Sequence, residues 1–585
     1  MNFLRNLLAA IIGCLVAFGI LFVMFFIFAA LLGSGEDAIE VKQNTVLEMQ
    51  LQGPIADYVG GDGADPFASL FEPARGLDDI LHAIAVAKGD DRIKGISLNN
   101  NFVMAGMAQA QALRKALADF KEAGKFIYAY ADFYTQKDYY LATVADSIFI
   151  NPVGALDFKG LSSEVLFFKE LQDKTGIKME VIRHGKYKSA VEPFLENEMS
   201  EANRLQIREL IQSLWDNMLT EMAAARGLSE TEMNTLADTL GGRLPKMAKN
   251  NGLLDGLVFA DVYVDKLKRA VEVPDGDLEL VSLEDYTRYA KTKKLKKGTD
   301  RIAVIFAQGE ILYGEGGPDV IGQDLINKAL KKAREDEKTK AVVLRVNSPG
   351  GSALTSDLIW REVLLTREKK PVVVSMGNVA ASGGYYIASA ANAIFAEPTT
   401  ITGSIGVFGT VPNLSGLAAD IGINAEQVGT HKNAVDYSLF EPMGDTFRNV
   451  VEESIEHTYQ TFLNRVGEGR NMSMAQVDSV AQGRVWSGVD AQRVGLVDAL
   501  GGLEDALAKA AELANITEYG IRKYPKYKTG LERLMEDLGG ASANTRKAWL
   551  RDEMGEELYR AWESVRPSVD QKGIQAKMPF SLNIK

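Results

Sequence analysis

The 585-residue sequence holds a single cysteine, Cys14, inside an apolar N-terminal stretch. An internal disulfide and a cysteine-ligated metal site are therefore excluded. Histidine is nearly as scarce: His82, His184, His431 and His457 show no metal-ligand spacing, and neither a metal nor another cofactor is expected. Positive charge is in deficit, with 65 Lys and Arg against 78 Asp and Glu and a net charge of −13. Without a long basic block, nucleic acid is a poor candidate for the main partner. No G-x-S-x-G elbow occurs, so that signature of a serine hydrolase is missing too.

Charge is also absent from Asn6 to Ser34, and Leu7 to Leu32 is almost wholly apolar. That run is long enough to cross a hydrocarbon core of about 30 Å as a helix, and longer than the apolar region of a cleaved signal peptide. Residues 7–33 are expected to form a transmembrane anchor. Arg5 precedes the run while Glu36, Asp37 and Glu40 follow it. The positive-inside rule then leaves residues 1–6 cytoplasmic and the bulk of the chain outside.

The length exceeds what one hydrophobic core serves, and an internal repeat accounts for it. KGISLNNNF from Lys94 parallels KAVVLRVNS from Lys340, and YYLATVADSIFINP from Tyr139 parallels YYIASAANAIFAEP from Tyr385, at a common offset of 246 residues. GKYKSAV from Gly185 matches GTHKNAV from Gly429 with a two-residue slip. Extra residues in the first copy fall in GGDGADP, Gly60 to Pro66, a loop by composition. The reading is a duplicated domain: 45–290 and 301–525, joined by the basic connector 291–300 and followed by a tail, 526–585, with amphipathic helical pieces.

Each copy alternates apolar strands with amphipathic helices. In the second, RIAVIFAQG, AVVLRVN and PVVVSMG are strand-like, while DLINKALKKAREDEKT and LTSDLIWREVLLTREKK are helical. Continuous Val/Ile runs between helices predict an α/β fold with a mainly parallel sheet. The two copies differ where chemistry would reside. Asn347-Ser348-Pro349-Gly350-Gly351-Ser352 stands opposite Asn101-Phe102-Val103-Met104-Ala105-Gly106, and Ser382-Gly383-Gly384 opposite Gln136-Lys137-Asp138. Folding alone gives no reason to keep Tyr385 and Pro398 in both copies yet need glycine in only one. The second copy is the expected catalytic one.

Ser382 in AASGGYY reads as a nucleophile. Glycines beside it let backbone approach a substrate, and the amides of Gly383 and of Gly350 or Gly351 can face a developing oxyanion. A serine hydroxyl needs a base, and no histidine lies near either motif. Lysine remains, able to act when burial keeps it neutral. Lys188 in GKYKSAVEPF and its repeat mate Lys432 in THKNAV are the candidates.

Together AASGGYY, TGSIGVFG, NSPGGS and YKSAVEPF resemble the signal peptide peptidase A (protease IV) family, long duplicated form, peptidase family S49. The resemblance runs from the anchor to about residue 525. It implies tandem crotonase/Clp-protease-like domains and a Ser–Lys dyad with the lysine from the first copy and the serine from the second. Carried over, Ser382 is nucleophile, Lys188 general base, Ser404 the residue that orients the lysine, and Gly383 and Gly351 the oxyanion hole. The resemblance also implies a homotetramer at the bacterial inner membrane, its catalytic part outside the cytoplasm, degrading apolar peptides such as released signal peptides. Short family members take their lysine from the serine's own copy, where Lys432 sits; the fuller match, KSAVEPF, favours Lys188. Two other classes compete: a non-catalytic membrane scaffold on a protease-like fold, and acyl-CoA chemistry, for which no binding-loop signature is present.

Overall fold

The computed structural model describes residues 5–6, 11–22, 24, 39–60, 75–434, 437–527 and 575–578. The expected loop 60–66 and the helical tail pieces lie almost wholly outside the described residues, as do parts of the expected anchor. Residues 11–22 are helical, with exposed apolar side chains. Among the described residues no helix is long and apolar enough to cross a membrane.

The Val/Ile runs form parallel strands buried on both faces. Arg301–Gln308, Thr339–Ser348 and Val372–Ala381 pair in parallel, and the first is buried at every position but Arg301. Amphipathic helices cover them: Gln323–Glu335 buries Ile326, Ala329, Leu330 and Ala333, the spacing of one helical face.

The duplication recurs as topology. In the first copy the strands lie side by side in the order Gly256–Leu257, Ser147–Leu156, Phe126–Tyr134, Ile93–Leu98, Thr45–Met49, Leu280–Ser282. In the second, Ala499–Leu500, Ala393–Ala396, Val372–Ala381, Thr339–Ser348, Arg301–Gln308 and Gly520–Tyr524 follow the same order. The fold is α/β, a parallel sheet made twice.

A further seven-stranded sheet joins the copies. Lys178–His184 of the first half runs antiparallel to Val407–Asn413 of the second, in register from Lys178 opposite Asn413 to His184 opposite Val407. Other contacts cross as well. Tyr58 stacks on Phe306 with ring centroids 4.4 Å apart. Leu210 and Leu214 of the long helix Glu201–Arg226 pack in one cluster with Ala381, Ile401 and Val485. A buried ion pair joins Asp57 to Arg345 at 2.7 Å. Packing therefore does not stop where one copy ends along the chain.

Candidate active site

Ser382 ends the strand Val372–Ala381 and caps the helix Gly383–Ala388. Its backbone, at φ 54° and ψ −114°, lies where non-glycine residues are rare. Holding it there costs about 1–3 kcal/mol, supplied by surrounding structure. The Ser382 amide donates to the Gly403 carbonyl at 2.8 Å, and the next helical turn closes on the Ser382 carbonyl. The glycines around it are needed for space. A Cβ on Gly383 would stand 2.7 Å from Ser356 Oγ, and one on Gly384 2.7 Å from the Ser348 carbonyl.

NSPGGS follows the strand Thr339–Ser348, as expected. Gly350 and Gly351 take φ of 99° and 152°, which L side chains rarely adopt. A Cβ on Gly350 would lie 2.7 Å from the Gly383 amide nitrogen, so the two glycine backbones meet beside Ser382. The Gly350 amide donates to Ser348 Oγ at 3.1 Å.

Lys188 reaches this point from the first copy. The strand Lys178–His184 hands over to Gly185, at φ 112°, and the chain turns inward. The Lys188 side chain is fully buried. Its Nζ lies 2.9 Å from Ser382 Oγ, 3.0 Å from Ser404 Oγ and 3.1 Å from the Ser404 carbonyl oxygen. Burial alone pushes its pKa well below the ordinary lysine value, because the interior disfavours the ammonium form. Ser404 itself has φ 52° and donates its amide to the Arg484 carbonyl.

The other candidate bases lie elsewhere. Lys432 is exposed. His431 Nδ1 is 3.0 Å from Thr430 Oγ1, and His184 pairs through Nδ1 with Glu456 at 2.7 Å while stacking on Tyr459. The structure thus brings Lys188, Ser382 and Ser404 together, sets Gly383 against Gly350, the neighbour of Gly351, and leaves Lys432 outside.

In the first copy the corresponding place is filled by its own side chains. The Asp138 carboxylate accepts the amides of Phe102 and Val103 at 3.0 and 2.8 Å. Lys137 Nζ donates to the Ala105 carbonyl at 2.5 Å. Backbone donors next to this position are consumed internally, which explains why the glycines could be lost there.

Sequence reasoning missed the turn that backs Lys188. Gly483, at φ 79°, would place a Cβ 2.6 Å from both the Lys188 nitrogen and its Cβ. The preceding Gln482 carbonyl accepts the Tyr187 amide at 2.8 Å. A signal existed: Gly483-Arg484 repeats Gly242-Arg243 of the first copy. Also missed was Asp57, which accepts from Arg345 Nε at 2.7 Å, Gln109 Nε2 at 2.8 Å and Asn347 Nδ2 at 3.3 Å. Asn347 Oδ1 in turn accepts the Val379 amide at 3.2 Å, tying the strand that leads to Ser382 to the loop with the glycines.

The family model Peptidase family S49 matches residues 119–274 and 365–517, once in each copy. "Protease 4" of Salmonella typhi is 37% identical over 545 residues, covering 88% of this chain and 87% of that protein. "Serine protease SPPA, chloroplastic" of Arabidopsis thaliana is 36% identical over 486 residues, covering 81% and 70%. Among solved structures, a ClpP1 mutant from Listeria monocytogenes matches 35% of this chain at 17% identity and a TM-score of 0.24. With the family model matched in both halves and relatives aligned over most of its length, the chain belongs to peptidase family S49 and is a serine protease.

Proposed function

We propose that the protease works through a Ser–Lys dyad split between the two copies, with Ser382 as nucleophile and Lys188 as general base. The observation that carries this reading is the fully buried Lys188 Nζ, 2.9 Å from Ser382 Oγ. A neutral amine has two N–H donors and one lone pair. Ser404 offers two acceptors, its Oγ and its carbonyl, so the lone pair is left for the Ser382 hydroxyl proton. Ser404 is then the orienting residue. On attack, Ser382 Oγ gives its proton to Lys188 and bonds to the substrate carbonyl carbon. The amides of Gly383 and Gly351 stabilise the oxyanion. Lys188 returns the proton to the leaving amine, and water later releases the acyl group by the same route.

The substrates on this reading are apolar peptides, including remnants of signal peptides. The N-terminal apolar run Leu7–Leu32 would hold the enzyme at the bacterial inner membrane, where such peptides remain after cleavage, with the catalytic part outside the cytoplasm. The crotonase/Clp-like form of each copy and assembly as a homotetramer belong to the same proposal and rest on the motif resemblance. The test is peptide hydrolysis by Ser382→Ala, Lys188→Ala and Lys432→Ala. The first two are expected to lose about 10⁴-fold or more in kcat, and Lys432→Ala to stay within a few-fold of wild type. Retained turnover in Lys188→Ala, or its loss in Lys432→Ala, refutes the assignment of the base.

A further inference from the structure

The two turns that meet behind Lys188 come from different copies, and one tyrosine touches both. Tyr459, in the helix Asp445–Arg470, is 1% exposed. Its ring stacks on His184, the last residue of the strand leading to Lys188, with centroids 4.0 Å apart. Its hydroxyl donates to Asp478 Oδ1 at 2.6 Å and accepts the Gln482 amide at 3.3 Å.

Gln482 links that hydroxyl to the site. Its φ of 54° lies where non-glycine residues are uncommon, and all of its polar groups are engaged. Nε2 donates to the same Asp478 Oδ1 at 2.6 Å. Oε1 accepts the Lys186 amide at 3.3 Å, and the carbonyl accepts the Tyr187 amide at 2.8 Å. The last two bonds hold the residues immediately before Lys188. The rest of the turn holds Ser404. The Arg484 carbonyl accepts the Ser404 amide at 2.6 Å, and the Gly483 amide donates to the Ile405 carbonyl at 2.8 Å. One turn thus fixes the backbone on both sides of the Lys188–Ser404 contact, and Tyr459 and Asp478 fix the turn.

We propose that Tyr459, together with Asp478, is a positioning residue for Lys188: acting through the Gln482 turn, it keeps Nζ on Ser382 and shut off from water. This rests on the dyad proposed above. Without the hydroxyl, the Gln482 amide and the Asp478 carboxylate each lose a partner, and the turn is free to relax away from Lys188. A small displacement of the base lengthens its path to the Ser382 proton. It also admits water, and it is exclusion of water that keeps the amine neutral. Rate and pH dependence should therefore change together, which a loss of stability alone would not produce.

The test is hydrolysis of an apolar peptide across pH by the full chain, with competent sites counted by an acylating probe of Ser382. Tyr459→Phe keeps the ring on His184 and removes only the hydroxyl. Its kcat per counted site is expected to fall about tenfold or more, with KM within about twofold of wild type. The rising limb of its kcat/KM profile is expected to move to higher pH. Asp478→Ala should behave alike. Asp478→Asn should recover to within about threefold of wild type, because both donors share Oδ1 and an amide oxygen can accept them. Tyr139→Phe is the control: it removes a buried first-copy hydroxyl that donates to the Leu253 carbonyl at 2.9 Å, and should leave the limb in place. The proposal is overturned by an unchanged Tyr459→Phe, by a loss matched by fewer counted sites, or by a limb that moves equally in Tyr139→Phe. Asp478→Asn as impaired as Asp478→Ala overturns it too. If Lys188→Ala is inactive and Tyr459→Phe is unaffected, the positioning role falls and the dyad stands. If Lys188→Ala keeps its turnover, the dyad falls and this role with it.

Discussion

As the proposed base, Lys188 would serve chemistry at the cost of stability. Its pKa is depressed by burial, so below the ordinary lysine value the folded chain gives up its proton more readily than the unfolded chain does. A lysine with a lowered folded-state pKa contributes its stability only above the ordinary lysine value. That contribution is lost as pH falls through the depressed one. Lys188→Met, similar in length and without charge, is therefore expected to raise Tm by about 3 °C or more at pH 7 while abolishing peptide hydrolysis. The gap in Tm should narrow toward pH 10, and thermal unfolding across pH measures it. The same burial places the rising limb of the wild-type kcat/KM profile well below pH 10.

At the scale of the element, the site depends on two turns packed back to back. The turn after Lys178–His184 carries Lys188, and the turn holding Gln482 and Gly483 supports it from behind. Gly483→Ala adds a methyl group 2.6 Å from Lys188 backbone at a φ of 79°, so the penalty is both steric and conformational. It is expected to reduce kcat at least tenfold, since a shift of about 1 Å in a catalytic group is that damaging. Destabilisation of about 1–3 kcal/mol should accompany it in urea unfolding. The duplicated strands and helices were legible from the sequence, because continuous Val/Ile runs and helical spacing act locally. The pairing of Lys178–His184 with Val407–Asn413 was not. It joins segments more than two hundred residues apart, and no local pattern records a partner at that distance.

Across the whole molecule, the copies are joined by a buried polar contact. Asp57 and Arg345 are 2% and 4% exposed, and Arg345 also donates to Ser375 Oγ and the Met376 carbonyl. Removing one member of such a pair leaves an uncompensated buried charge, a loss of about 3–5 kcal/mol. Arg345→Met is expected to be destabilised by that amount in urea. The double variant Asp57→Leu with Arg345→Met should recover much of it, since neither charge then remains. Because Asn347 also bonds Asp57, the single variant should lower kcat through the loop it steadies.

The sequence by itself determined the α/β class and the duplication, and it pointed to the second copy as the catalytic one and to Ser382 as its candidate nucleophile. These follow from hydrophobic period, repeated motifs and glycines kept in one copy only, all of which can be read along the chain. It narrowed the base to Lys188 or Lys432, two lysines in matching repeat positions. Only the tertiary structure separated them: one is enclosed beside Ser382, the other is in solvent, and burial is a property of the folded surroundings. Folding likewise decided that Gly483 and Asp57 support the site. Such roles arise from close approach between distant segments, which the order of residues does not state.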